Sequence, residues 1–458
     1  MRGERLRRLK GAAATASLIA GVTCAAAGCL SGSPASGTDA TPAPASATPA
    51  AVAVGAAACA GCHPDHVADW SLSVHASASD DPVFVAMNAR GQRETGGALG
   101  DFCVRCHAPL ALARGATTDG QNLQALDPSL RGVTCVVCHT ASAVAGSLAI
   151  ADDGVMRGPI ADAVPSPAHR SAYSAAHDRS QPAAAELCGA CHGVTNGHGL
   201  RIERTIDEWR ETAYAAPGTL KTCGHCHMPE TPGTASQTPG SPARPVHGHA
   251  MPGLDWGAGS AAQRKLVQAT LDPALSASLC VIPGEAGTGI TVTVENALIG
   301  HAWPSGATQD RRAWTEVVAY AGGPVVYESG LEPGDAGAAG ATSGAPSPPL
   351  LLLGQWLFDD VGSPTPFAWG AFTGTANLLS PATADPAGAM RTASVLVTGT
   401  AVDRVTSRVL VRALDRDVAD TLVSSGDLAP EVAAAVPTLA LRATDLEWTA
   451  ALGAACLP

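Results

Sequence analysis

The chain of 458 residues carries 40 acidic against 28 basic side chains, a formal net charge of −12, which argues against nucleic acid or anionic lipid headgroups as partners. Fourteen cysteines and fourteen histidines stand beside an aromatic content of only 4%, low for a body of this size held by a conventional apolar core. The length allows two or three domains.

The first stretch, "MRGERLRRLKGAAATASLIAGVTCAAAGCLSGS", opens with Arg2, Arg5, Arg7, Arg8 and Lys10 and continues as an apolar run ending in small residues. That pattern is an export signal, residues 1–28, rather than a spanning helix. "AAGC" at Ala26 to Cys29 resembles a bacterial lipobox, which implies a lipidated Cys29 as membrane anchor; plain cleavage to a soluble product is the alternative. Cys24 leaves with the signal, and the absence of aspartate at Leu30 favours the outer membrane over the inner. Residues 29–57 are rich in Ala, Pro, Ser and Thr and almost uncharged. Such a segment buries too little apolar surface to offset its ordering entropy and reads as a flexible tether.

Five copies of Cys-x-x-Cys-His follow: Cys59, Cys62 and His63; Cys103, Cys106 and His107; Cys135, Cys138 and His139; Cys188, Cys191 and His192; Cys223, Cys226 and His227. A zinc ribbon gathers cysteine pairs into sets of four and does not need a histidine after each pair. A thioredoxin-like redox pair predicts one motif beside a βαβ unit, not five. Covalent haem c needs this pattern: two thiols add across the porphyrin vinyl groups, and the next residue supplies the proximal imidazole. The expectation is five covalently bound haems in a helical, loop-rich domain over residues 58–255, with porphyrins supplying much of the core that aromatic residues do not.

Nine histidines remain for the opposite face of each iron, against five methionines besides the initiator, so the supply favours bis-histidine sites and potentials below those of Met/His cytochromes. His66, four residues past Cys62, reads as a solvated side chain, and His225, inside its own motif, as a bystander. "CAGCHPDHVADWSLSVHASA" resembles the opening of multihaem cytochromes related to the tetrahaem cytochrome c of ammonia oxidisers and to hydroxylamine oxidoreductase. The resemblance covers about residues 57 to 255. It implies a distal ligand from the Trp-x-x-Ser-x-His segment, here Trp70, Ser73 and His75. "SPAHRSAYSAAHDRSQPAAAELCGACHGVTNG" is similar to the family's segment before a later haem and implies His169 and His177. "IERTIDEWRETAYAAPGTLKTCGHCHMP" is similar to its helix leading into a last motif, after which His249, or His247, lies where a distal ligand is expected. His198 stays open between ligand and surface. Five motifs instead of four or eight leave the pairing of ligands with haems undetermined.

After a connecting segment at 256–287 the pattern changes. "GITVTVEN", "AWTEVVAYAGGPVVYESG", "RTASVLVTGTAV" and "VTSRVLVRAL" alternate apolar and polar residues between Gly/Pro turns, which reads as an antiparallel β-sandwich over 288–458. A short helix is expected at "LDRDVADTLVSSG". "ENALIGHAWPSGATQDRRAWTEV" looks like the start of the β-domain appended to such cytochromes, and implies that its loop projects His301 toward a haem. Cys280, read as preceding the first strand, and Cys456 are the pair left over, expected as a disulfide in an oxidising compartment.

These features point to an exported electron-transfer protein of the periplasm or outer membrane, relaying single electrons through mostly bis-His haems to other redox proteins. An acidic surface suits a basic docking partner. The alternative is a haem enzyme acting on a small nitrogen or sulfur compound at an open sixth position.

Overall fold

The structure is a computed structural model and describes residues 55–144, 146–254, 259–331 and 347–458. The basic leader, Cys24, Cys29 and the tether up to residue 54 lie outside the described residues. Among the described residues no helix is long and apolar enough to cross a membrane.

As far as residue 227 the chain forms short helices joined by loops and by short strand pairs, Ala141–Val144 with Ser147–Ile150 and Val155–Gly158 with Arg170–Tyr173 among them. Proline in the first turn starts α1 (Pro64–Ser71) and, after the single turn α2 (Val74–Ser77), α3 (Pro82–Glu94), a position where its missing N–H costs nothing. Trp70 Nε1 donates to the Val133 carbonyl at 2.9 Å, and Ser73 Oγ accepts from Ala76 N at 3.3 Å to cap α2. The spacing of Trp70, Ser73 and His75 follows from these contacts. The tryptophan ties the segment to the loop before the third motif, and the serine starts the turn that presents His75. Gly132 makes the approach possible: its φ is +68°, and a Cβ there would sit 2.7 Å from the His75 carbonyl oxygen.

The motifs ride on single turns such as α4 (Val104–His107) and α5 (Cys135–Thr140), or at the end of α6 (Pro182–Gly189). Turns this short do not persist alone, so contacts from the rest of the fold must hold them. Two strands, β1 (Val194–Thr195) and β2 (Arg201–Glu203), form a hairpin, and α7 (Thr205–Arg210) then packs back on α6. A Cβ at Gly189 would lie 2.5 Å from Ile206, so glycine lets Ala185, Ile206 and Trp209 close into a small cluster. The fifth motif forms α8 (Cys223–His227), followed by the ribbon β3 (Glu230–Thr234) and β4 (Ala243–His247).

The remainder is an antiparallel sandwich. After α9 (Ala261–Leu271) come β5 (Ser276–Gly284), β6 (Gly287–Glu295), β7 (Arg312–Tyr320), β8 (Val325–Ser329), β9 (Leu352–Phe358), β10 (Pro364–Thr365), β11 (Thr373–Asn377), β12 (Met390–Val397) and β13 (Arg404–Arg412). Helix α10 (Arg416–Ser424), β14 (Thr438–Thr449) and β15 (Ala455–Leu457) complete it. One sheet has the order β12-β6-β5-β15 and the other β10-β9-β7-β13-β14, with β8 on β7 and β11 on β9. Leu279, Val281, Ile290 and Val292 of the first sheet meet Val317, Val405, Leu441 and Trp448 of the second. Each such side chain contributes about 1.5–3 kcal/mol on burial.

Strand β5 and helix α9 fall within 256–287, read from the sequence as a connection. In β5 Leu279 and Val281 are the buried residues, while Ser276, Ser278, Cys280 and the exposed Ile282 alternate with them on the outward face, so no clean apolar–polar pattern shows. Cys280 therefore lies inside the first strand rather than before it, opposite Cys456 on β15, and the two are disulfide-bonded.

The described helical region and the sandwich belong to one compact unit. Ala86 of α3 packs with Phe367, Leu414, Val418 and Leu422, so the expected helix after β13 is the one that faces the helical region. Arg90 and Arg93 reach Asp427, and the buried Asn196 donates to the carbonyls of Ala368 and Ala371.

Candidate haem-binding site

All ten motif cysteines line one continuous cavity of about 2200 Å³, well beyond the roughly 300–1,000 Å³ of a single-ligand pocket. The same walls carry twelve of the fourteen histidines; His198 and His225 are the two elsewhere. His198 stacks on Phe372 with ring centres 3.9 Å apart and reaches the Trp369 carbonyl. His225 accepts from Thr222 N at 3.1 Å and caps its own turn. Among the described residues no three His, Cys, Asp or Glu side chains converge as a metal-ion site, as zinc would require.

The thiols bring the motifs together. Cys59 and Cys135 hydrogen-bond each other, which lowers Cys59 to about 7 and raises Cys135. Cys106 is lowered by its hydrogen bond to Cys191, which is raised in turn. Cys223 is lowered to about 7 by Cys188. First and third, second and fourth, and fourth and fifth motifs are therefore neighbours. Cys138 of the third acts on both Cys188 and Cys191 of the fourth, which makes the array contiguous.

Facing imidazoles are the second element. Two metal–nitrogen bonds of about 2 Å each, with about 1 Å from nitrogen to ring centre on either side, place the ring centres of a bis-His pair about 6 Å apart. His63 and His169 are 6.3 Å apart, His192 and His75 6.2 Å, His139 and His249 6.2 Å, and His227 and His301 6.3 Å. No member of a pair lies in the same motif segment as its partner. His107 stacks on Phe84 at 4.1 Å.

Hydrogen bonds at Nδ1 decide which nitrogen faces the cavity. His63, His107 and His139 meet the carbonyls of Ala235, Ala78 and Arg157 through Nδ1. On the opposite side His249 meets the His247 carbonyl, His301 that of Ala302 and His169 that of Arg170. Each contact leaves Nε2 for a metal. His177 is turned the other way: Nε2 bonds the Cys138 carbonyl at 2.7 Å, and its buried Nδ1 has no partner. Its ring lies 5.5 Å from that of His139, yet the nitrogen that His249 leaves free is, in His177, engaged by the motif backbone. His66 sits beside His63 and touches His249 at 4.7 Å. The sequence signal that separates His249 from His247 is absent; β4 ends at His247, whose carbonyl anchors its neighbour.

Burial lowers His75, His139 and His301 to about 4 and His249 to about 3. All four are neutral at pH 7, the form a metal requires. His75 also keeps a buried Nδ1 without a partner. His192 differs: burial pushes it down, but the hydrogen bond and charge of Glu203 more than restore it. Thiols on one cavity wall, neutral imidazoles at metal-spanning distance and an unmet buried nitrogen fit covalent haem c.

Residues 58–140, which contain the first three motifs, match the family described as Cytochrome c554 and c-prime. No curated protein matches the chain. Among solved structures the chain is similar to a penta-heme cytochrome c552 from Thermochromatium tepidum, with 21% identity, a TM-score of 0.60, and coverage of 86% of this chain and 98% of that one. The likeness extends over the sandwich as well as the helical region. The family match and the motifs together support a multihaem, electron-carrying c-type cytochrome.

Proposed function

We propose that the chain binds five haems c, one per motif, and serves as an exported electron relay. The observation that carries this reading is the set of four facing imidazole pairs at 6.2–6.3 Å around one thiol-lined cavity. In it the ten cysteines hold thioethers, and His63, His107, His139, His192 and His227 are proximal ligands. His169, His249, His75 and His301 stand opposite the first, third, fourth and fifth of these proximal residues.

Bound iron would supply a one-electron ferric/ferrous couple. The residues contribute the rest: buried neutral imidazoles fix the ligand field and disfavour release of the metal, and the packing that sets cysteines of neighbouring motifs side by side would keep the sites adjacent. The domain over 58–255, the lipid anchor at Cys29, the outer-membrane location and a basic redox partner belong to the same proposal, supported by the leader sequence and the net charge of −12.

A pyridine haemochrome assay with mass analysis of the denatured protein tests it. Five thioether-bound haems per chain are expected; zinc without a Soret band, or fewer haems, refutes it.

A further inference from the structure

Three proximal histidines rest their Nδ1 on a backbone carbonyl, at 2.6 Å for His63, 2.8 Å for His107 and 2.6 Å for His139. His192 does not. Its Nδ1 lies 3.1 Å from Glu203 Oε1, the last residue of β2, whose side chain is only 16% exposed. The hairpin of β1 and β2 turns the chain back over the fourth motif, which brings this carboxylate behind the ring.

A carbonyl is a neutral dipole, whereas a carboxylate carries a full charge, and charge-assisted hydrogen bonds are roughly twice as strong as neutral ones. A carboxylate behind a metal-bound imidazole raises the basicity of that ligand. A more basic ligand and a nearby negative charge both stabilise ferric over ferrous iron. In the couple concerned one electron enters, ferric iron becomes ferrous, no bond is made or broken, and Nδ1 keeps its proton.

We propose that Glu203 is a positioning residue that gives the haem held by His192 and His75 the lowest reduction potential of the bis-His sites. The proposal rests on the reading of His192 as a proximal ligand. The site is also the junction of the array, since Cys191 meets Cys106 of the second motif and Cys188 meets Cys223 of the fifth. A low potential there makes the centre of the array the place where electrons reside least.

Spectropotentiometric titration of the full holoprotein and of Glu203→Gln, with haem counting by mass and EPR of the oxidised state, tests this. In Glu203→Gln five haems remain and one midpoint rises by at least a tenfold change in its ferric-to-ferrous ratio, about 59 mV for a one-electron couple. One low-spin EPR component shifts with it. Glu203→Asp, which keeps the charge, returns that midpoint toward the wild-type value, a rescue that a packing defect would not give. Five unmoved midpoints, or Asp and Gln variants that behave alike, overturn the proposal with haem binding intact. Wild-type protein lacking the haem at Cys188 and Cys191 overturns the reading beneath it.

Discussion

Replacing His301 by alanine isolates the one ligand that the sandwich would supply to the cavity. The loop carrying it is fixed by contacts that do not involve the imidazole. Asn296 Nδ2 donates to the His301 carbonyl at 2.9 Å, Ala302 N donates to Glu208 Oε2 at 3.0 Å, and Gly300 lies against Tyr214. Truncation should therefore leave the backbone in place and cost only what losing a large buried side chain costs, about 2–5 kcal/mol. The ring of His301 is centred 6.3 Å from that of His227, and a methyl group on the same backbone cannot span that gap. With five motifs in the chain, one site in five loses its sixth ligand. Relative to wild type, the oxidised variant should gain a high-spin EPR signal worth about one fifth of the iron, and the reduced variant should bind one more carbon monoxide per chain. His301→Met should instead add no high-spin signal and raise one midpoint, because thioether ligation favours ferrous iron. His198→Ala should leave the spectrum unchanged, since that ring stacks on Phe372. A His301→Ala protein with no more high-spin signal and no more carbon monoxide binding than wild type would refute the pairing.

Asp310 is buried beside Gln309, and desolvation raises it from 3.8 to about 7. With a raised folded value, its contribution to stability is complete below 3.8 and is lost as pH rises through about 7. The shift of about 3 units, at about 1.4 kcal/mol each, bounds the effect near 4 kcal/mol; Asp310→Asn should gain more stability over wild type at pH 8 than at pH 5 in denaturant melts, and a gain independent of pH would count against it. Cys280 and Cys456 are 176 residues apart, so the chain-entropy model assigns their bond up to about 5 kcal/mol; a Cys280→Ser/Cys456→Ser protein should melt earlier than wild type and lose its response to reductant. Gly132→Ala forces a side chain into a left-handed backbone against the His75 carbonyl, a strain of about 1–3 kcal/mol, and should convert one haem to high spin; an unaltered spectrum would mean that His75 is not held by this contact.

Much of the site could be read along the chain because its chemistry is local. Two thiols and an imidazole within five residues announce their role wherever they occur, and the strand of Gly287–Glu295 alternates cleanly between core and surface. Partners across the cavity could not be read in this way. His75 follows the first motif by twelve residues yet faces His192 of the fourth, and His169 turns back to the first. Only the fold sets such distances. The orientation of His177 depends on its meeting the Cys138 carbonyl, and the role of Glu203 on a hairpin that no periodicity reveals. Strand β5 is illegible in the sequence for a different reason: its outward face bears Ser276, Ser278 and Cys280, a pattern that in sequence looks like a loop.

The loop that carries His301 has one more implication, for the order of assembly. The fifth motif ends at His227, but the residue opposite it lies 74 positions later, in a region whose first strand is linked to Cys456. On the proposed pairing, attachment of haem to Cys223 and Cys226 would need none of that downstream chain, whereas completion of the ligand pair would need it. The fifth site would then be the last to mature, and its spin state would report whether the sandwich has closed. A nicked or reduced sandwich would be visible in the colour of a haem that it never covalently touches.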